Sequence, residues 1–225
     1  MNFFNRLDQS TQSGRDYLLS APIIGRCLQG NIQLEQYVAF LTQAYHHVKH
    51  TVPLLMAAGA RIPESKEWLR EAIAEYIEEE LGHQEWILND IEACGFDKEQ
   101  VRNGQPNAST ELMVAYAYDM INRVNPIGFF GMVHVLEGTS VRIASDAADK
   151  IQETLGLPNR AFSYLHSHGK LDLEHVKFFE QLMNRIDDSG DQDLIVHCAQ
   201  RFYHLYGDIF RELDQQPISQ LKKIA

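Results

Sequence analysis

Apolar residues along the chain recur mainly at intervals of three and four, while the strict alternation that marks a half-buried strand is scarce. In residues 34–58, Tyr37, Phe40, Leu41, Tyr45 and Val48 keep helical spacing. Pro53 should kink that helix, because proline lacks a backbone donor and clashes with the preceding turn. Gly59 reads as its stop. The same periodicity predicts helices over 2–20, 22–29 (closed by Gly30), 65–93 (closed by Gly95), 110–122, 126–156, 160–167, 168–186 and 192–213. Pro126 suits a first helical turn. The stretches 103–109, 157–159 and 187–191 are rich in Gly, Pro, Asn or Asp and read as connections. The pattern predicts an all-α bundle of roughly seven or eight helices around one core. No internal repeat or linker divides it, so residues 1–225 form one domain, with 1–15 and 215–225 as frayed ends.

Composition narrows the classes of function. Hydrophobic residues make up 44% and charged residues 23% of the 225, enough for a full core without disulfides or a structural metal. The net charge of −11 disfavours nucleic acid and anionic lipid as partners. No run of about 18 apolar residues is present to span a membrane. The polar N-terminus lacks the apolar core of a signal peptide. Cys27, Cys94 and Cys198 are few and far apart, as in reduced thiols. These features together predict a cytoplasmic protein. Without a nucleophile signature nearby, the cysteines read as packing residues.

Four segments could carry chemistry. His168, Asp172 and His175 lie at i, i+4 and i+7, one stripe of a helix, and imidazole with carboxylate is the donor set of non-heme iron or manganese. A wet helix face is the plain alternative. In Glu79-Glu80-Leu81-Gly82-His83, Glu80 lies three and Glu79 four residues before His83, and Glu-x-x-His is the ligand unit of carboxylate-bridged di-iron bundles. Gly82 there costs about 1 kcal/mol against alanine in a helix interior. Glu137 sits in an apolar helical stretch, where a buried carboxylate needs a partner, a metal or a raised pKa; His134, one turn earlier, or Arg142 could serve. His46, His47 and His50 crowd one helix and could line the same pocket or flank it. Tyr116, Phe129, Phe130 and Met132 are candidate pocket-lining residues, with plain core packing as the alternative. His166, His197 and His204 have no such company.

These segments resemble the heme-oxygenase-like (TenA-like) superfamily over nearly the whole chain. Val133-His134-Val135-Leu136-Glu137-Gly138-Thr139 is similar to the Val-Leu-Glu-Gly-Ser stretch of bacterial heme oxygenases and the Tyr-x-Glu-Ile-Gly stretch of TenA proteins. Glu79-Glu80-x-Gly82-His83-x-x-Trp86 and His168-x-x-x-Asp172-x-x-His175 resemble segments of the heme-oxygenase-like di-iron oxidases, which include CADD-type and alkene-forming enzymes. In TenA thiaminases a Cys lies six residues before the Glu; here that position is Gly131, and Ala44 stands where the resemblance places an Asp. Heme oxygenases carry a proximal His near the N-terminus, whereas the first His here is His46. They also carry several glycines after the Glu-Gly pair, where this chain has Val141-Arg142-Ile143-Ala144.

The di-iron branch therefore fits best. The resemblance implies Glu80, His83, Glu137, His168, Asp172 and His175 as metal ligands, with Glu79, His46, His47, His50 or His134 completing a second metal or the pocket. CADD-like members place the first Glu seven residues before the His, and that residue here is Tyr76; Glu80-x-x-His83 matches the alkene-forming variant. The implied cofactor is iron, two atoms or one, with manganese as an alternative and no heme. The implied activity is O₂-dependent oxidation of a small organic substrate by a homodimer or larger homo-oligomer. A metal-free TenA-like hydrolase of aminopyrimidines and a non-catalytic small-molecule-binding protein are the competing readings.

Overall fold

Helices supply all the regular secondary structure in a computed structural model that describes residues 1–215 and Lys223, without the side chains of 168–174 and 215. In chain order they are α1 (Phe3–Ser10), α2 (Gln12–Leu19), α3 (Pro22–Leu28), α4 (Leu34–Val48), α5 (Thr51–Arg61), α6 (Glu67–Glu80), α7 (His83–Ala93), α8 (Lys98–Arg102), α9 (Ala108–Asp119), α10 (Phe130–Leu155), α11 (Ser163–Asn184) and α12 (Ser189–Gln215). The twelve exceed the expected seven or eight because several predicted rods are broken into two. Only α8 lies on no predicted rod. Among the described residues no helix is long and apolar enough to cross a membrane.

Each break has a local cause. The predicted 2–20 helix divides at Thr11, whose hydroxyl donates to the Leu7 carbonyl at 2.8 Å beside its own backbone N–H, a back-bond that bends helices. The predicted kink at Pro53 falls earlier: α4 ends at Val48 and α5 starts at Thr51. Pro53 then lies in the first turn of α5, where a missing N–H costs nothing. Gly59 does not end α5. It admits α6, since a Cβ there would stand 3.2 Å from Ile73 Cγ2. The predicted 65–93 helix breaks at Gly82, which has φ +91°, a left-handed conformation that glycine adopts without penalty. The two helices predicted over 160–186 are instead one, α11.

The centre of the molecule is α10. Its residues Phe130 to Val135 are all buried, a run that amphipathic spacing would not produce and that marks a first stretch enclosed on all sides, whereas beyond it Arg142, Ser145, Asp146, Asp149 and Lys150 are exposed. It packs on α11 and α12, and α12 in turn on α2, α3 and α9. Gly131 permits the closest approach: a Cβ there would lie 2.6 Å from the Ala199 backbone nitrogen. The N-terminal segment, expected as a frayed end, is docked instead, because Phe3 and Leu7 are buried and Arg6 pairs with Asp193 of α12. Most of the predicted C-terminal end, 215–225, lies outside the described residues.

Two tethers set α11 against the rest. Asp90 of α7 is fully buried and accepts from the Ser163 and Tyr164 backbone N–H groups at 3.0 and 2.9 Å, and from the Ser163 hydroxyl. It satisfies the open donors at the start of α11. Burial pushes its carboxyl pKa up, and these hydrogen bonds oppose that. Just before α11, the Ala161 carbonyl accepts from the Tyr37 hydroxyl at 2.7 Å.

Candidate functional site

The turn at Gly82 ends α6 and starts α7, so Glu80 and His83 lie on two helices rather than one face. The turn still brings them together, with Glu80 Oε2 3.0 Å from His83 Nδ1. His83 is buried and its imidazole lies against the Trp86 ring. Glu79, one residue earlier, reaches α11: its Oε2 lies 2.8 Å from His175 Nε2. His175 is buried, with its ring edge-on to Tyr76.

Tyr76 joins these groups. It is 2% exposed. Burial first, then the charge of Glu137, with smaller contributions from Glu79 and Glu80, pushes its phenol well above the usual range. Three carboxylates from α6 and α10 therefore act electrostatically on one protonated phenol, whose ring lies against His175. Sequence reasoning meets Tyr76 only as the residue seven before His83, and nothing local marks it as part of a site.

The remaining candidates divide. His47 lies on the wall of the same cavity as Tyr76, Glu80 and Glu137. His46 and His50 do not. His46 faces Lys49, at 3.2 Å, and His50 faces Tyr118, at 3.1 Å. His46 and His47 are turned apart by about 100° on α4, and His50 lies beyond its end. His134 faces a second, polar cleft with Asp8, Arg15, Arg142 and Tyr203, and its Nε2 is 3.3 Å from the Thr11 hydroxyl. Glu137 borders both cavities. Arg142, the base suggested for it, points to Asp8. Of the pocket-lining candidates, Phe129 and Met132 line the main cavity. Phe130, one residue on and so rotated away, is fully buried in the core, and Tyr116 contacts Cys198 Sγ at 3.7 Å instead. His168 and Asp172 lie on α11, but their side chains are outside the described residues.

The main cavity has a volume of about 170 Å³ measured at the centres of water-sized spheres. It begins at Tyr76, His47, Glu80 and Glu137 and continues between α3, α10 and α12 as an apolar passage. Cys27 is on its wall, with its thiol pushed up to about 11 by burial. Burial also pushes the Cys94 thiol up to about 12 and raises that of Cys198. All three remain protonated near neutrality and are poor nucleophiles.

The donor types fit a hard or borderline metal such as iron: Glu80, Glu137 and His47 border an otherwise apolar cavity, and His83 and Glu79 adjoin Glu80 in the chain or by hydrogen bond. Among the described residues no three His, Cys, Asp or Glu are already set around a single point. Glu80 with His83, and Glu79 with His175, are paired to each other instead.

A family model described as an iron-containing redox enzyme matches residues 38–207. No curated protein sequence matches. Among solved structures, a domain of unknown function with a heme oxygenase-like fold from Shewanella denitrificans OS217 superposes with a TM-score of 0.86 at 24% identity, covering 94% of this chain and 92% of that one. A TenA homologue from Pseudomonas syringae pv. tomato gives 0.79 at 9% identity, covering 95% and 93%. Heme oxygenase-1 from the cyanobacterium Synechocystis sp. PCC6803, solved with heme, gives 0.75 at 12% identity, covering 96% and 93%. At these identities the structures establish the all-α, heme-oxygenase-like fold.

Proposed function

Because the chain belongs to the iron-containing redox enzyme family, we propose that it is a non-heme, O₂-dependent oxidase or oxygenase of a small organic substrate, using iron held by side chains of α6, α7, α10 and α11. The observation that carries this reading is that buried Tyr76, Glu80 and Glu137 line the end of an apolar cavity, with Glu80 paired to His83, Glu79 paired to His175, and His175 against the Tyr76 ring. The ligands we assign are Glu80, His83, Glu137, His168, Asp172 and His175, with Glu79 as the carboxylate that exchanges between His175 and metal. Iron bound there supplies the capacity to bind and reduce O₂.

The protein's own residues do the rest. The carboxylates would offset the positive charge of iron held there, and the imidazoles would be its nitrogen donors. The Tyr76 phenol keeps its proton on the cavity wall that it shares with Glu137. The apolar walls exclude water from reactive species. A thiol hydrolase finds no support in the cavity: Gly131 is closed off by α12, and the one thiol on the wall, Cys27, is held protonated.

Elemental analysis and optical spectra of protein reconstituted anaerobically with Fe(II) test this reading. The expected result is about two irons per chain, as in carboxylate-bridged bundles, lost in Glu137→Ala and His175→Ala variants that keep their helical circular dichroism. Protein that retains no iron, or that shows a heme absorption band instead, overturns it.

A further inference from the structure

The main cavity has a direction. Glu137, Ser140, Ala144, Ala147 and Ile151 all border it, and their spacing of three and four places them on one stripe of α10. At about 1.5 Å per residue that stripe runs roughly 21 Å from the carboxylates to Ile151. Ile23, Ile24 and Cys27 of α3 form the facing wall, and Phe210 and Leu213 of α12 close the side. The passage is thus long and apolar, and at its waist, midway along the stripe, the α10 wall is made of the small residues Ala144 and Ala147.

Its charge is one-sided. The charged side chains among the described lining residues are Glu80 and Glu137, with no Lys or Arg, and His47 supplies the single imidazole. A buried anion without a cationic partner pays a large desolvation cost, and here it would also meet two carboxylates. An alcohol pays far less, and an ammonium group meets opposite charge.

We propose that this passage binds a slender aliphatic molecule whose head group is neutral or cationic, an alcohol or amine, and that it rejects the matching carboxylate. That this occupant is the enzyme's substrate rests on the iron reading above; that it binds does not.

The test is calorimetric titration of the metal-free, full-length protein at pH 8 with octan-1-ol, octylamine and octanoate. The alcohol and the amine should both bind, and octanoate should bind at least roughly tenfold more weakly, given the cost of burying an unpaired anion. Ala144→Phe fills the waist and should abolish binding of both. Ala147→Phe, at a half-buried position, repeats the test should the first variant not fold. Octanoate binding as tightly as the alcohol overturns the proposal, and so does unchanged affinity in a folded waist variant. Because no metal is present, neither result depends on whether iron is the cofactor.

Discussion

His46 shows how far burial alone can move a residue. It is 1% exposed, and burial, then Lys49 and His50, lowers its pKa to about 4. Its folded value lies below the unfolded one of about 6.5. The neutral form is therefore the one the fold accommodates, and its contribution to stability is complete above pH 6.5 and is lost as the pH falls toward 4. Urea denaturation at pH 7 and pH 4.5 should show that loss, and His46→Phe should reduce the difference between the two. An equal difference in the variant would place the acid sensitivity elsewhere. In the sequence, His46, His47 and His50 look equivalent. What separates them is which neighbouring helix each one meets, and residue spacing does not carry that information. Spacing did mark Glu80, His83 and Glu137 as unusual, because a buried carboxylate or imidazole always requires a partner.

Among the elements, periodicity located the helices and missed their breaks. The breaks depend on backbone choices that pattern does not report. Gly82 looks like a cost inside one helix, yet it is the hinge between two, and with open space around it its left-handed φ is the whole reason for glycine. Gly82→Ala should lower stability by about 1–2 kcal/mol, the cost of a left-handed alanine, measured by thermal denaturation; a neutral effect would mean the turn can relax. The continuity of α11 was equally hidden. Its first donors are satisfied by Asp90, 73 residues away in sequence, whereas local reading looks for a cap among immediate neighbours. Asp90→Ala leaves those buried donors without acceptors and should cost on the order of 2–3 kcal/mol. It should also weaken iron binding, because α11 carries His175. Asp90→Asn, which keeps an acceptor, should recover part of both.

For the molecule as a whole, the enclosed first stretch of α10, Phe130 to Val135, leaves little room for change at the centre of the fold. Gly131→Cys, which installs a thiol at the position TenA-like hydrolases use, should destabilise the protein by roughly 1–3 kcal/mol through overpacking against α12; a stable variant would show that α12 can move aside. Fold class was legible because helical periodicity survives any packing arrangement. The long cavity was not, because it lies between α3, α10 and α12, and its walls look like ordinary core in each helix taken alone. One further property follows from how α6 ends. Its last residues are Glu78, Glu79 and Glu80, with no basic residue in the final turn, so three acids stand at the negative pole of a helix. A cation held there relieves that repulsion, and a ligand that binds only the folded state raises its stability. The melting temperature should climb with Fe(II) or Mn(II) and fall back on chelation. In a cell, metal-starved copies would then unfold and be degraded first, so that the amount of this protein would follow the supply of metal even where its synthesis did not change.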